Sequence, residues 1–342
     1  MTNRPLVSVV VPHHHRGQPL ALCLDALAAQ TYDPIEVIVV DDASTDGSVA
    51  VARERGVTVV RTAANVGQSA ARNLGAEHAR GQILFFLDSD IALDPDAIAH
   101  AVAALRADPG LGAVCGILHP EPLIPRGLMG QYRALQMYHW WMPTEGPTRE
   151  LHAALLAVPA PVFADVGPFD PALRDTEAAD YRTRLVQRYR VQLTGTIRGR
   201  HDHDHTLSMV LGKVFRRARI SAIEWRRGEL PGDSTSRAFS GALVTAAALA
   251  VPLPLLLGPA GAAAAPLLLA AGITLDGRTY RAVFAHRGVA FGTFFTTVHL
   301  LVTLTGTAGM AAGVLQRLLF RRRPPHGQGV PVAVGTTRGT PD

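Results

Sequence analysis

The sequence is poor in charge, in cysteine and in aromatic residues. Charged side chains occupy 18% of the 342 positions, whereas about 25% is usual for a soluble domain. The 48% share of apolar residues excludes a disordered chain. The two cysteines, Cys23 and Cys115, are too few for a disulfide framework or a CxxC zinc site. We therefore expect two buried thiols in a reducing compartment.

Charge is missing altogether from two long stretches near the carboxyl end. Residues 240–275 and 288–316, which are 36 and 29 residues long, contain no Asp, Glu, Lys or Arg. A helix of about 20 apolar residues crosses the bilayer core, so both stretches predict a membrane-embedded region over 240–320. Two buried core helices, the alternative, would ordinarily be shorter and have polar flanks. Four prolines interrupt the first stretch, which predicts either a helical hairpin or one broken span; they are Pro252, Pro254, Pro259 and Pro266.

The net charge of +5 is distributed unevenly along the chain. Residues 1–239 carry 25 basic and 26 acidic side chains, and residues 240–342 carry 8 and 2. The nearly neutral first part argues against nucleic acid as a partner. Its apolar start stops at Pro12 and is too short for a signal peptide. We therefore expect a cytoplasmic first part that is attached to the cell membrane.

Arginines on either side of the second uncharged stretch bear on the membrane topology. Arg278, Arg281 and Arg287 precede it, and residues 321–323 follow it. The positive-inside rule favours the cytoplasmic side for both groups, which requires an even number of spans. We expect a multi-pass anchor of two spans, or of four, followed by a disordered tail at 321–342.

Apolar, β-branched segments alternate with helical patterns over the first 118 residues. Continuous rather than alternating hydrophobicity is typical of strands buried on both faces of a parallel sheet. The spacing predicts an α/β fold with a doubly wound, mostly parallel sheet. The predicted strands are 6–11, 36–41, 57–61, 82–87 and 113–118, and the predicted helices are 20–29, 48–55, 68–78 and 94–105.

Three polar clusters follow predicted strands, where the ligands of such sheets bind. They are residues 12–15, Asp41 with Asp42, and Asp88 with Asp90. The carboxylates of Asp88 and Asp90 flank one residue after a very apolar strand, so they would lie close together and repel each other. A hard divalent cation, Mg²⁺ or Mn²⁺, relieves such repulsion and binds both carboxylates and substrate phosphates.

Four segments in this order resemble those of a known family. They read VVVP at 9–12, VVDDASTD at 39–46, NVGQSAARN at 65–73 and FLDSD at 86–90. The pattern is similar to that of family 2 glycosyltransferases with the GT-A fold, tightly over 6–118 and more loosely to about residue 206. The resemblance implies a nucleotide-sugar-binding half at 1–118 and an acceptor and catalytic half at 119–205. It also implies sugar transfer with inversion at the anomeric carbon.

The resemblance implies roles for residues on the donor side. Pro12 and His13 would line the base pocket, and Asp41 would accept a hydrogen bond from the base. Arg72 would lie near the diphosphate, and Asp90 would be the direct ligand of a Mg²⁺ or Mn²⁺ ion. The implied donor-binding residues are Pro12, His13, Asp41, Asp42, Gly67, Arg72 and Asp88.

Two histidine clusters each allow more than one interpretation. Residues 13–15 stand where the family commonly has Thr or Ala, then Tyr, then Asn. The nucleobase of the donor is therefore not identified. The alternative for residues 13–15 is a histidine tract that binds a metal. Residues 201–205 read HDHDH, and an extended segment would place the histidines on one face. Because family members often carry a histidine near the diphosphate and metal, His201 or His203 is a candidate metal ligand; a solvated loop is the alternative.

The acceptor half carries a second motif, which departs from the family. Residues 167–170 read GPFD, and a carboxylate cluster follows, as in the family's acceptor-side motif. Inverting transfer needs a carboxylate to take the proton of the acceptor hydroxyl, but Ala178 stands where the family usually has that aspartate. We expect Glu177 to be the base, with Asp180 and Asp175 as alternatives. The structural alternative is that these carboxylates are charges on a helix surface. If the acceptor is a lipid phosphate, the transfer needs no strong base.

Residues 206–239 join the predicted enzyme to the membrane region. Within 206–219 an apolar face is accompanied by Lys213, Arg216 and Arg217, which is typical of a helix that lies on an anionic membrane surface. A terminal helix packed into the core is the alternative. We expect 206–239 to be an amphipathic interfacial segment.

Two functions of different classes follow from these patterns. The favoured one is a metal-dependent, membrane-anchored glycosyltransferase that takes a nucleotide-sugar donor and a membrane-associated acceptor, such as a polyprenyl phosphate or another lipid-linked molecule. The other is a nucleotide-sugar-binding membrane scaffold that has lost catalysis, which Ala178 motivates. An α/β nucleotidyltransferase is disfavoured because the sequence lacks a glycine-rich phosphate loop near its amino terminus.

Overall fold

The computed structural model describes residues 4–142, 145–173, 175–224 and 235–319. These residues form two compact units. The sheet unit contains residues 4–126 and 136–203, and the helical unit contains residues 127–135 and 204–319. The predicted tail at 321–342 lies outside the described residues.

A mixed sheet, with nine strands among the described residues, forms the centre of the sheet unit. The strands are β1 Val7–His13, β2 Ile35–Asp41, β3 Thr58–Arg61, β4 Ile83–Leu87, β5 Ile91–Leu93, β6 Leu111–Leu118, β7 Gly146–Thr148, β8 Leu155–Pro159 and β9 Arg190–His201. Their order across the sheet is β3-β2-β1-β4-β8-β6-β9-β5, and β7 pairs with β9. The four strands β3, β2, β1 and β4 are parallel, and β8 runs antiparallel between β4 and β6.

The predicted α/β fold with a mostly parallel sheet is confirmed, and the predicted strands correspond to β1–β4 and β6. Strand β5 was missed because it has three residues and its partner β9 lies about a hundred positions further along the chain. The helices of this part of the chain are α1 Gly17–Ala28, α2 Ser48–Glu54, α3 Gln68–His78, α4 Ala97–Ala107, α5 Gly127–Trp141, α6 Ala160–Val166 and α7 Glu177–Leu185.

Strand β1 illustrates why continuous hydrophobicity predicted a central strand. All of its side chains are buried. Val9 and Val11 belong to one apolar cluster with Leu20 of α1, and Val10 belongs to another, as expected when successive side chains point to opposite faces. Helix α3 lies close to this strand, since a Cβ added at Gly75 would be 2.3 Å from Cγ1 of Val10.

The helical unit contains the two stretches that lack charge. Its helices after the sheet are α8 Leu207–Glu224, α9 Thr235–Ala250, α10 Leu253–Leu257, a 3₁₀ turn Gly258–Gly261, α11 Ala264–Leu275 and α12 Gly277–Leu319. Among the described residues, α12 is the one helix long and apolar enough to cross a bilayer. It bends at Gly288, where φ is 77° and ψ is 175°. The stretch 240–275 contains most of α9, then α10, the 3₁₀ turn and α11.

Helix α8 packs closely against α12. A Cβ added at Gly309 would lie 2.5 Å from the carbonyl oxygen of Phe215, and one added at Gly313 would lie 2.3 Å from that of Arg219. Small residues four positions apart permit such an approach between two helices. The segment predicted at 206–219 is therefore helical, and one side of it packs against another helix.

We expect the Gly313→Ala substitution to destabilise the helical unit, because the new methyl group would overlap a backbone oxygen. Overpacking of this kind costs about 1–3 kcal/mol. Gly306→Ala is the matched control in the same helix, since its Cβ would lie 3.5 Å from Cγ1 of Val214, an ordinary contact. Thermal unfolding of the detergent-purified chain measures both effects, and equal melting temperatures for the two variants would contradict this packing.

Candidate active site

Three strands of the sheet unit end beside one cleft. Strand β1 ends at His13, which lies in register with Asp41 at the end of β2, and β4 ends one residue before Asp88. Parallel strands bring their carboxyl ends to the same edge of a sheet. The cleft has a volume of about 200 Å³ and is lined by Pro12, His13, His14, Arg16, Asp42, Gln68, Ala71, Asp88, Ser89 and Asp90.

The two aspartates after β2 have different partners. The buried carboxylate of Asp41 lies 3.1 Å from Nε of Arg61 and accepts hydrogen bonds from the Ser44 backbone N–H at 3.3 Å. The carboxylate of Asp42 accepts hydrogen bonds from the backbone N–H groups of Val66, at 2.7 Å, and Gly67, at 2.8 Å. Asp42 therefore holds in place the loop that leads into α3.

The histidines of the first cluster do not share one ligand position. Nδ1 of the buried His13 lies 3.1 Å from Oγ of Ser89. Nδ1 of His14 donates a hydrogen bond at 2.7 Å to the backbone carbonyl of Asp42. Nε2 of His15 lies 3.2 Å from the Thr45 hydroxyl. Burial lowers the pKa of His13 and keeps the ring neutral. The rings of His14 and His15 lie side by side, with centroids 3.9 Å apart.

Arg72 connects the DxD sequence to the predicted base. This side chain of α3 is 2% exposed, and its two terminal nitrogens lie 2.8 Å from Asp88 and 3.1 Å from Glu177. Nε2 of Gln68, one turn earlier in α3, also donates to Glu177. A buried guanidinium needs charged partners to offset its lost hydration, so both carboxylates are held in place by the same cation.

Glu177 is the candidate base that the structure brings to Arg72. It begins α7 and is 4% exposed. Burial raises the pKa of its carboxyl group, although the Arg72 cation acts in the opposite direction. Asp180 instead pairs at 2.9 Å with Arg184, which also donates to backbone carbonyls of residues 166–168. Asp175 lies two residues before α7.

The second predicted metal residue, Asp90, lies between a cation and a histidine. Its carboxylate oxygens are 3.0 Å from a terminal nitrogen of Arg16 and 3.2 Å from Nε2 of His201. Arg16 also pairs with the buried Asp202. His203 lies behind His201, and their Nδ1 atoms are 2.8 Å apart. His201 thus faces Asp90, whereas His203, which is 3% exposed, contacts His201.

The donor set fits a hard divalent cation in chemical type. Asp88 and Asp90 offer carboxylate oxygens at the cleft, with side chains 29% and 20% exposed, and His201 offers an imidazole nitrogen. Mg²⁺ and Mn²⁺ accept such ligands. In the part of the chain that the structure describes, no three His, Cys, Asp or Glu side chains form a ready-made metal cluster.

Three contributors to the site were missed by sequence reasoning. Arg16 and Asp202 form an ion pair across 186 positions of the chain, and Gln68 reaches Glu177 across 109 positions. No local pattern marks such long-range pairs. Arg16 has a left-handed backbone conformation, with φ of 69°. This conformation is visible in the fold and not in the sequence.

Comparisons with known proteins agree with this geometry. The family model described as glycosyl transferase family 2 matches residues 8–142. The match covers less than half of the chain. Nearly all of β1–β4, the DxD sequence and Arg72 lie within the matched residues.

Curated relatives match this chain over only part of their own length. An uncharacterized glycosyltransferase of Haemophilus influenzae is 28% identical over 193 residues, which is 53% of this chain and 62% of the relative. The glycosyltransferase AglE of Haloferax volcanii is 31% identical over 173 residues, 48% of this chain and 56% of the relative. The chain spans less than two thirds of the curated relatives that it matches first.

A solved structure shares the fold over most of both chains. The mannosyltransferase PcManGT from Pyrobaculum calidifontis, in complex with GDP-Man and Mn²⁺, covers 94% of this chain and 89% of its own, with a TM-score of 0.57 and 22% identity. This likeness supports the GT-A fold that the sequence resemblance implied.

Proposed function

We propose that the chain is an inverting glycosyltransferase that moves a sugar from a nucleotide-diphosphate sugar to a membrane-associated acceptor. The observation that carries this proposal is the Asp88–Arg72–Glu177 chain of ion pairs, of which Asp88 and Arg72 lie within the residues that the family 2 model matches. It joins a carboxylate suited to the donor and its metal to a carboxylate suited to the acceptor proton. Transfer requires both groups at one anomeric carbon.

The cleft supplies the donor subsites in this proposal. Pro12 and His13, at the end of β1, line the base side of the cleft. Asp41 lies in register with His13 at the end of β2. Asp42 and Gly67 hold the loop beside it. In this proposal the His13 ring contacts the nucleobase of the donor. Burial lowers the pKa of His13, which favours the neutral form of the ring.

A Mg²⁺ or Mn²⁺ ion would be held by Asp88, Asp90 and His201. When bound, the ion neutralises charge that builds on the nucleoside diphosphate as it leaves. His203 contacts His201 and would orient its ring. That the neighbour PcManGT is in complex with GDP-Man and Mn²⁺ supports a divalent ion here.

Glu177 is proposed as the general base. In the transfer, the acceptor oxygen forms a bond to the anomeric carbon while the bond to the diphosphate oxygen breaks, and the acceptor proton passes to Glu177. Its raised pKa makes the ionised carboxylate a stronger base. Asp175 and Asp180 remain alternatives, and a phosphate acceptor would need no proton transfer at all.

The helical unit supports an acceptor at the cell membrane. Among the described residues, each large hydrophobic side chain that is exposed belongs to the helical unit. Apolar surface of this extent is typical of a membrane contact. We propose that the sheet unit works on the cytoplasmic side and that the acceptor is lipid-linked, such as a polyprenyl phosphate.

A catalytically inactive scaffold is the second candidate, and Ala178 is the observation that favours it. In that case the cleft would bind a nucleotide sugar without turnover. The two candidates differ in one measurable property, the release of nucleoside diphosphate in the presence of membranes.

We expect Glu177→Gln to lower the transfer rate by about 10²–10⁴-fold, the usual contribution of a general base, with donor affinity unchanged. Because burial raises the pKa of Glu177, the acid limb of the wild-type pH–rate profile should lie above the ordinary range of a carboxyl group. Asp180→Asn is the control and should keep most of the activity. The assay is nucleoside diphosphate release with native membranes as the acceptor source.

An unchanged rate in Glu177→Gln would exclude it as the base. Donor binding by the wild type without release, over a broad panel of donors and lipids, would favour the scaffold.

We expect Asp90→Ala to weaken Mn²⁺ binding at least tenfold, because it removes the carboxylate nearest to His201. Electron paramagnetic resonance counts free Mn²⁺ directly, without turnover. Asp108→Ala, which removes an exposed partner of Arg190 away from the cleft, is the control. Equal Mn²⁺ affinity in both variants would contradict the assignment of the metal site.

A further inference from the structure

We infer that the helical unit is a monotopic membrane module, which enters one leaflet and does not cross the bilayer. Helices α8 and α12 lie along the membrane surface, and α9 with α11 forms a hairpin that enters the hydrocarbon and returns. This inference rests on the membrane association proposed above. It replaces the multi-pass anchor expected from the sequence.

The hairpin helices are too short to cross a membrane. The apolar parts of α9 and α11, Phe239–Ala250 and Ala264–Leu275, have 12 residues each, which corresponds to about 18 Å of helix. The hydrocarbon core is about 30 Å thick. Ser240, at the start of α9, donates a hydrogen bond at 3.0 Å to the carbonyl of Gly272 near the end of α11. The two helices are thus antiparallel, and the chain enters and leaves at the same end.

Among the described residues, the turn of the hairpin holds the two most exposed large apolar side chains. Leu255 is 88% exposed and Leu256 is 77% exposed, both in α10 between the two long helices. Residues 240–275 contain no charged side chain. Burying an exposed leucine in hydrocarbon is favourable by about 1.5–3 kcal/mol, so lipid acyl chains are the partner that fits this turn.

The packing of α8 argues against a membrane-spanning α12. Along residues 306–313 of α12, the backbone of α8 is in direct contact at Phe215 and Arg219. In the same part of α8, Arg216 and Arg217 are exposed. A span through this region would take these arginines into the bilayer core, at about 2.5–3.5 kcal/mol each.

The surface of the α8–α12 pair is instead that of interfacial helices. Met209 and Phe215 of α8 and Met310 of α12 are exposed, at 44%, 38% and 44%, beside the exposed arginines of α8. Apolar and cationic side chains on one helical surface are typical of helices that lie in the headgroup region of anionic membranes.

The arginines near the two ends of α12 agree with this orientation. Arg278, Arg281 and Arg287 precede the bend at Gly288, and residues 321–323 follow the helix. A single crossing by α12 would place these two basic groups on opposite sides of the membrane. A helix that lies on the surface keeps both on the cytoplasmic face, which the positive-inside rule favours.

Cysteine labelling of the full chain tests the topology. Single substitutions Glu77→Cys in the sheet unit, Leu256→Cys at the hairpin turn and Leu319→Cys at the end of α12 all replace exposed side chains. The native Cys23 and Cys115 are fully buried and give little background. The probe is a membrane-impermeant maleimide, applied to vesicles with the cytoplasmic face outward, with and without detergent.

We expect Glu77→Cys and Leu319→Cys to react equally without detergent, and Leu256→Cys to react at least tenfold more after detergent is added. Labelling of Leu319→Cys only after detergent, with Glu77→Cys labelled before, would show that α12 spans and would overturn the inference. Free labelling of Leu256→Cys in intact vesicles would also overturn it. Recovery of the chain in the soluble fraction would contradict the membrane association itself, and transferase assays would be unaffected by any of these outcomes.

Discussion

The buried guanidinium of Arg72 is the interaction on which the candidate site depends. Its hydration is lost almost completely, and two carboxylates at 2.8 and 3.1 Å replace it. Those carboxylates come from the turn after β4 and from the start of α7, so one cation of α3 connects these two elements of the sheet unit. Removing a partner of a buried ion pair costs about 3–5 kcal/mol, which explains how three separate elements keep one geometry.

The charge around this cation shapes the chemistry of the cleft. Arg72 is one positive group between two carboxylates, and Asp90 adds a third nearby, which is paired to Arg16. An excess of negative charge favours a divalent cation and, through it, a diphosphate. The same enclosure raises the pKa of Glu177 by burial. In the proposed function, metal binding and proton acceptance both depend on how the carboxylates are distributed around Arg72.

The sequence was informative where a local pattern determines the structure. Continuous apolar runs predicted β1, β2 and β4, and because parallel strands end at one edge, the positions of Asp42 and Asp88 at the cleft followed. The antiparallel insertion of β8 between β4 and β6 leaves no such local pattern. The contact of Arg72 with Glu177 spans 105 positions, so residue types could nominate Glu177 as a base but could not bring it to Arg72.

The membrane region shows the same division between local and long-range information. The missing charge predicted membrane contact, and the prolines marked where the first stretch breaks. A count of uncharged residues, however, treats 240–275 as one length of helix, whereas the structure folds it into two antiparallel pieces of 12 apolar residues. The close contact of α8 with Gly309 and Gly313 is likewise a tertiary fact, and it determines how the exposed arginines of α8 can meet a bilayer.

A double-mutant cycle tests the central role of Arg72 most directly. The free energy of unfolding of the full chain is measured for Asp88→Asn, Glu177→Gln and the double variant, each with Arg72 and with Arg72→Met. With Arg72 present, the double variant should be less stable than the sum of the single effects by about 0.5–3 kcal/mol, because the buried cation loses both partners. With Arg72→Met this coupling should vanish. Additive effects in the presence of Arg72 would contradict the account.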